Sequence, residues 1–260
     1  MYFLLKRRLQ NTISRLPAAV ALLMIIIIWW GLCKFKIVPE YMLPSPGSVV
    51  SAFVKYFPMI MYHAGVSLQE AFYGLLIGIF LAFFIATLMD RFIVLNRAIY
   101  PVLIVTQTIP TVAIAPILVM WMGFGMAPKI TLVVLSTFFP ISIGLLEGYS
   151  NVDSDEVQMM RSMGATRIQI FCHVKFPAAL PHFFSGLKIS SSYSVVGAVI
   201  AEWLGGFEGL GVYMTRVRKA YAFDRMFAVI ILIVIISLIL MGIVDIIRYF
   251  VMPWERVNKK

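Results

Sequence analysis

Six apolar runs, each about the length of a membrane crossing, set the strongest constraint on the fold of this chain. A bilayer interior offers no partner for backbone N–H and C=O groups, so runs of this length cross it as helices. The composition agrees, because 61% of the 260 residues are hydrophobic and 13% are charged, against roughly half and a quarter in soluble domains. We therefore predict an all-α, polytopic membrane protein with one transmembrane domain over residues 1–260. The predicted spans are residues 17–33, 66–89, 98–122, 128–149, 183–204 and 226–251.

The first run has a second possible interpretation. A basic start followed by an apolar stretch is also typical of a cleavable signal peptide. Lys34, Phe35 and Lys36 follow this run where a small-residue cleavage site would be required. We therefore predict a first transmembrane helix that stays in place.

Positive charge predicts the orientation. The net charge of +10 could indicate nucleic-acid binding, but the basic residues are scattered between apolar runs and form no single stripe. The side with both termini has thirteen Lys and Arg residues: Lys6, Arg7, Arg8, Arg15, Arg91, Arg97, Arg161, Arg167, Lys175, Arg248, Arg256, Lys259 and Lys260. The other side has seven: Lys34, Lys36, Lys55, Arg216, Arg218, Lys219 and Arg225. Both termini are predicted to be cytoplasmic, although the cluster Arg216 to Lys219 runs against this bias.

Small residues and prolines predict how the spans pack. Gly74 and Gly78, and then Gly144 and Gly148, stand four residues apart, a spacing that lets helix backbones approach closely. The fifth span has two stripes of small residues, which predict close neighbours on both sides or one neighbour and a water-filled path. The third span contains Pro101, Pro110 and Pro116, so we predict one irregular helix inside the bundle.

The polar segment 150–182 carries signals of structure. Asp153 with Glu156, and Thr166 with Gln169, fit the reciprocal capping pattern of a helix start. Gly164 between them suits the left-handed residue that ends a helix. Two short helices that meet at a glycine predict a working surface on the cytoplasmic side.

The chain lacks the motifs of several enzyme classes. No Gly-x-x-x-x-Gly-Lys-Ser/Thr motif occurs, and the nearest string, Gly123 to Ile130, fails at two required positions. The three histidines lack zinc-protease spacing, and the serines of the fifth span have no accompanying base. Cys33 and Cys172 are predicted to lie on opposite sides of the membrane without a disulfide.

Ionisable residues inside a span are the usual mark of ion coupling. By the predicted boundaries, all of them fall near span ends, which argues against a proton- or sodium-driven carrier. Asp245 and Arg248 are three residues apart and are predicted to pair on one helix face. These ionisable residues are Glu70, Glu147, Lys188, Glu202, Asp245 and Arg248.

Six polar residues on the third and fifth spans are candidates for a translocation path, with interhelical hydrogen bonding as the alternative role of each. They are Gln107, Thr108, Thr111, Ser191, Ser194 and Glu202.

Four segments resemble a known family. Residues Gln158 to Pro177 resemble the cytoplasmic signature loop of permease subunits of binding-protein-dependent ABC importers, with Gly164, Val174 and Pro177 at matching positions. The strings LPSPGSVVSAF, IPTVAIAPILVMWMGFGMAPKI and AEWLGG are similar to the nitrate, sulfonate and taurine branch. The triplet Gln158-Met159-Met160 stands where the family has Glu-Ala-Ala.

The resemblance implies a coupling helix that docks on a separate ATPase subunit. It also implies two ATPase copies, a second permease copy in a homodimer, an extracytoplasmic binding protein, and a location in a prokaryotic cell membrane. ATP would be bound by the partner, so no cofactor is expected on this chain. The expected coupling residues are Asp155, Glu156, Gln158, Met159, Met160, Arg161, Gly164, Ala165, Val174 and Pro177.

The solute is left open by the sequence. The branch includes carriers of nitrate, alkyl sulfonates, taurine, riboflavin and thiamine pyrimidine precursors. Trp121 and Trp203 at the predicted opening, with few cations near the midplane, favour a heteroaromatic compound over an anion. An ion-coupled secondary transporter is the alternative of another class, and a membrane enzyme is a third.

Overall fold

The fold is a set of helices, described for Pro17 and residues 20–256 in a computed structural model. Residues 1–16, which include the basic start, residues 18 and 19 of the first predicted span, and residues 257–260 lie outside the described residues. Within that range the regular structure is helical and includes no strand. The elements are α1 Val20–Lys34, α2 Pro46–Lys55, α3 Phe57–Arg91, α4 Ile93–Gln107, α5 Thr111–Met122, α6 Met126–Ser150, α7 Ser154–Ser162, α8 Arg167–Ile170, a π-helical turn Phe171–Lys175, α9 Phe176–Gly205, α10 Leu210–Lys219, α11 Phe223–Val251 and a 3₁₀ turn Pro253–Arg256.

Four of these helices are long and apolar enough to cross a membrane: α3, α6, the continuous helix Arg167–Gly205, and α11. The bent pair α4 and α5 makes a fifth crossing if it counts as one span. The described part of α1 is apolar and 15 residues long, from Val20 to Lys34. The all-α polytopic fold is therefore confirmed, whereas the count of six spans stays a prediction.

The described residues divide into two compact units, of which the first combines those up to residue 58 with residues 216–230. In this unit the Trp29 indole donates to the Pro44 carbonyl at 3.0 Å and lies against Phe227. Ser45 caps α2, with Pro46 at the first helical position, where its missing N–H costs nothing. Arg225 donates to the Tyr56 hydroxyl and stacks over its ring.

The second unit, residues 59–215 with residues 231–256, is centred on a close pair of helices, α6 and α9. A Cβ added at Gly148 would lie 2.6 Å from the Ala179 Cα, and one at Gly186 would lie 2.5 Å from the Pro140 carbonyl oxygen. Gly74 and Gly78 bring α3 equally close to the side chains of α6. The predicted glycine pairs are therefore contact surfaces, because only glycine allows these backbones to touch.

The prediction of one irregular helix over residues 98–122 is wrong in one respect. The span is broken into α4 and α5, which meet at 101°. Pro110 lacks an N–H and its ring excludes helical continuation, so α4 ends with tighter bonds from Thr108 N–H and Ile109 N–H to carbonyls three residues back. Most of α4 is exposed in the single chain, with Leu103 as its buried residue.

Two helices extend beyond the predicted spans that they contain. The helix α3 begins at Phe57, nine residues before the predicted start of the second span. Arg167–Gly205 is one continuous helix of 39 residues, which begins before the predicted start of the fifth span at residue 183. Its π-helical turn widens the helix just before Pro177, and the Phe176 N–H bonds to the Phe171 carbonyl. This widening accommodates a residue that can make no ordinary helical hydrogen bond.

Candidate functional site

The segment between α6 and α9 forms two capped helices joined at a glycine. Asp153 caps α7 by accepting the Asp155 N–H at 2.9 Å, a different donor from the predicted one at Glu156. Thr166 and Gln169 form the predicted reciprocal capping box of α8. Gly164 has φ +81°, the left-handed conformation predicted for it.

This surface, α7 to Pro177, is polar with exposed apolar side chains. No residue of α7 is buried, and Met159 is 60% exposed. Met163 and Ile168, which sequence reasoning missed, are each 75% exposed. Of the ten predicted coupling residues, Asp155, Glu156, Gln158, Met159, Arg161 and Gly164 are exposed, and Met160, Ala165, Val174 and Pro177 are half-buried. Large apolar groups exposed on a segment too polar for lipid indicate a protein partner.

An ion pair ties this segment to the end of α3. Lys175 Nζ lies 2.6 Å from Asp90 Oδ1 and 2.8 Å from Asp90 Oδ2. Both side chains are partly exposed, so solvent screens the pair and it contributes modestly to stability. Its geometric effect is to fix the π-helical turn against α3.

A cavity of about 650 Å³ opens where α4 meets α5, against α6 and α9. Three of the predicted path residues, Gln107, Thr108 and Thr111, line it together. Ser136 and Tyr193 add polar atoms that sequence reasoning missed, since neither stood out from its neighbours. The other lining residues are Thr106, Ile109, Ile114, Leu135, Phe139, Pro140, Val196, Gly197 and Ile200.

The cavity presents hydrogen-bonding groups without charge. None of its lining residues, all within the described part of the chain, is ionic. The hydroxyls of Thr106 and Thr108 donate to carbonyls of their own helix at 2.7 Å and keep acceptor capacity. The lining therefore offers hydrogen-bonding groups but no full charge that could balance the charge of an ion.

The other three predicted path residues do not line this cavity. The Ser191 hydroxyl donates to the Lys188 carbonyl at 2.7 Å, and the Ser194 hydroxyl donates to the Ser191 carbonyl at 2.9 Å. Both serines are buried, as is Glu202. The predicted opening residues Trp121 and Trp203 are exposed but lie outside the cavity lining.

Glu202 belongs to a buried polar network at the far end of α9 from α8. Its carboxylate accepts from the Ser67 hydroxyl at 2.5 Å and from the Gly211 N–H at 2.6 Å. Nearby, Glu70 Oε1 lies 2.6 Å from Lys129 Nζ, and the two side chains are 0% and 6% exposed. Buried charges of this kind persist only when they are paired and hydrogen-bonded.

Glu70 lies within a helix that starts before the predicted span. The helix starts at Phe57, so Glu70 sits thirteen residues inside it, about 20 Å along the axis. Asp245, which was predicted to pair with Arg248 of its own helix, lies 2.6 Å from Lys188 of α9.

Taken together, helices long and apolar enough to cross a membrane, an uncharged cavity beside a broken helix pair and an exposed polar segment with apolar side chains are typical of a membrane transport subunit. The family described as "Binding-protein-dependent transport system inner membrane component" matches residues 74–254. The chain belongs to this family: it is the permease subunit of an ABC importer, of the nitrate, sulfonate and taurine branch. It is not itself an enzyme, because ATP is hydrolysed by a separate ATPase, and a binding protein is the other partner.

Two curated relatives resemble nearly the whole chain. A probable ABC transporter permease protein of Haemophilus influenzae is 34% identical over 85% of this chain and 90% of its own length. The formylaminopyrimidine transport permease protein ThiX of Halalkalibacterium halodurans is 30% identical over 95% of this chain and 99% of its own length. Other relatives are named for transport of riboflavin, aliphatic sulfonates, taurine and nitrate.

The fold also matches a solved structure. An amino acid ABC transporter crystallised with histidines superposes with a TM-score of 0.64 over 75% of this chain and 95% of that chain, at 16% identity. At this identity the likeness establishes the fold alone.

Proposed function

We propose that the cavity between the α4–α5 break, α6 and α9 is the solute path, and that α7 to Pro177 is the surface that docks on the ATPase. The observation that supports the solute path is the set of polar side chains that line an uncharged cavity of about 650 Å³. The exposed methionines beside capped helix starts support the ATPase-docking surface.

The complex is proposed to contain two ATPase subunits and a homodimer of this chain. Most of α4 is exposed in the single chain, and Gln107 and Tyr193 reach the cavity from exposed positions. A second copy over this face would enclose the cavity on its open side. Both termini and α7 are proposed to be cytoplasmic, as the distribution of positive charge predicts.

The proposed solute is a neutral heteroaromatic compound of the formylaminopyrimidine type. The lining offers an amide, a phenol and several hydroxyls beside Phe139 and aliphatic side chains, which suits a flat ring with polar substituents. The relative named for formylaminopyrimidine transport supports this class. Riboflavin, alkyl sulfonates, taurine and nitrate are the alternatives, and the anions among them would require a cationic lining that this cavity lacks in the residues described for it.

The solute path is tested with Gln107→Leu and Thr111→Val in the complete transporter. Each removes a polar group from the cavity, so we expect formylaminopyrimidine uptake to fall about tenfold, the worth of roughly one hydrogen bond to a buried partner. Ser194→Ala is the matched control, because it removes a buried hydroxyl of α9 that does not line the cavity. Equal loss in the control and the cavity variants would contradict the assignment.

The coupling surface is tested at Gly164. A Cβ there would meet no atom within 4 Å, so backbone conformation is the constraint, at φ +81°. Gly164→Val should reduce uptake at least tenfold while ATP hydrolysis and membrane insertion persist, because a β-branched residue resists the left-handed region. Gly164→Asn, which tolerates that region, should retain most uptake. Normal uptake by Gly164→Val would refute the coupling role.

An ion-coupled secondary transporter, unlike the permease subunit of an ABC importer, would take up solute without an ATPase or a binding protein. Liposomes that contain this chain alone should show no uptake under a proton or sodium gradient. Uptake under these conditions would favour the alternative class.

A further inference from the structure

The segment Gly209 to Gly211, which begins α10, is held by side chains of two core helices. Three successive backbone N–H groups are captured: Gly209 N–H by His63 Nδ1 at 3.1 Å, Leu210 N–H by Ser67 Oγ at 2.8 Å, and Gly211 N–H by Glu202 Oε2 at 2.6 Å. These are donors that a helix start leaves without intrahelical partners. We call this set of contacts the clasp.

In the clasp, the backbone of Gly209 to Gly211 packs closely against the three side chains that bind it, and those side chains are buried. His63 is 6% exposed, and Ser67 and Glu202 are each 1% exposed. Gly209 has φ +116°, and a Cβ there would collide with the Glu202 carboxylate. A Cβ at Gly211 would collide with the Val199 carbonyl oxygen. No other residue type could bring this backbone so close to Glu202.

The clasp joins the core helices at one end only. Ser67 also donates to Glu202 at 2.5 Å, which links α3 to α9. One turn along α3, Glu70 binds Lys129 of α6 at 2.6 Å. Glu202 stands 35 residues beyond Arg167, so the clasp lies about 50 Å along the helix from α8. An importer must open this end to receive its solute and close it afterwards.

Hydrogen bonds are well suited to a contact between helices that separates into water. When buried hydrogen bonds separate into water, water replaces each lost partner, so the open state is not penalised by unsatisfied groups. The Glu202 carboxylate also gains hydration when it is exposed. The polar groups of the clasp would therefore be satisfied both when it is closed and when it is exposed to water, whereas a helix start held by apolar packing would lose its contacts without replacement.

We propose that Ser67 and Glu202 are positioning residues of the transport cycle: the clasp holds the end of the bundle remote from α7 closed at rest, and its release accompanies opening toward the binding protein. This inference rests on the proposed assignment of α7 as the ATPase-coupling side.

The first test is Ser67→Ala in the complex with the ATPase and its binding protein. We expect basal ATP hydrolysis to rise three- to tenfold and the stimulation by binding protein to fall toward one. Ser190→Ala is the matched control, because it removes an equally buried hydroxyl, which donates to the Thr137 carbonyl away from the clasp. A stimulation ratio equal to that of the control and of the unmodified complex would overturn the proposal, whatever the absolute rates.

The second test locks the clasp. The distance of 2.8 Å between Leu210 N and Ser67 Oγ places the two Cα atoms within about 7 Å, the range that a disulfide spans. Ser67→Cys with Leu210→Cys is introduced after Cys33 and Cys172 are replaced by serine. Oxidation should abolish stimulation of ATP hydrolysis by the binding protein, and reductant should restore it. Full stimulation of the cross-linked complex would show that the clasp need not open.

These outcomes are separate from those of the proposed function. If α7 to Pro177 is not the coupling surface, Gly164→Val retains normal uptake in a complex whose clasp is intact. If the clasp has no role in the transport cycle, Ser67→Ala shows a normal stimulation ratio in a complex whose coupling surface is intact.

Discussion

The ion pair of Glu70 and Lys129 places two opposite charges in the interior of the second unit. Both groups are almost completely removed from solvent, and each keeps the other's charge tolerable. Glu70→Gln should therefore lower stability by about 3 to 5 kcal/mol, because it removes the carboxylate that binds the buried Lys129 directly. The midpoint of thermal unfolding in detergent, followed by tryptophan fluorescence, measures this loss.

Glu147→Gln is the matched control for that experiment. Glu147 is an exposed carboxylate of α6, so the same chemical change should shift the midpoint by less than 2 °C, as most surface substitutions do. A similar midpoint for the two variants would mean that the Glu70–Lys129 pair has no stabilising role.

The sequence identified the polar and ionisable residues of interest, but it did not locate all of them in the fold. Gln107, Thr108 and Thr111 were predictable as cavity residues because they are polar beside prolines in an apolar span. The start of α3 at Phe57 was not predicted, because its first turns contain Tyr62 and His63 and do not look apolar. Hydropathy locates the part of a helix that lipid surrounds, and it does not register a helix that continues among polar partners.

Among the elements, α6 and α9 depend on glycine at their contact. Gly186→Val should destabilise the protein by about 1 to 3 kcal/mol, because the added side chain meets the Pro140 backbone, which cannot move aside cheaply. The thermal midpoint again measures the effect. Gly242→Ala is the control, since a Cβ there meets nothing within 4 Å, and it should be neutral or raise stability by up to about 1 kcal/mol through helix propensity.

If Gly186→Val unfolded at the same temperature as Gly242→Ala, the close approach of α6 and α9 would not be a stabilising contact. Such a result would leave the glycine spacing without a packing explanation.

The elements were predicted well where sequence signals are local. Caps, the left-handed Gly164 and the glycine pairs depend on neighbouring residues and were visible. The sharp break at Pro110 and the continuity of Arg167–Gly205 were not. A proline can bend, end or widen a helix, and the outcome is decided by the partners that satisfy the freed carbonyls, which lie far away in sequence.

For the whole molecule, two native cysteines offer a test of orientation. Cys172 is exposed and Cys33 is buried, and both are free thiols. A membrane-impermeant maleimide should label Cys172 in inside-out vesicles and leave it unmodified in right-side-out vesicles, because the coupling segment is predicted to be cytoplasmic. Label incorporation measured by mass spectrometry reports the result.

Cys172→Ser provides the control and should abolish labelling in both preparations. Labelling of Cys172 in sealed right-side-out vesicles would reverse the predicted orientation, and with it the assignment of α7 to the ATPase side.

The continuous helix Arg167–Gly205 is about 58 Å long at 1.5 Å per residue, nearly twice the thickness of a bilayer's hydrocarbon core. Under the proposed assignment of α7 to the ATPase side, this one helix joins the coupling surface to the clasp. A tilt of about 5° over its length displaces one tip by about 5 Å relative to the other, which exceeds the length of any hydrogen bond in the clasp. A small rotation beside the ATPase would therefore be large enough, at the other tip, to separate the clasp.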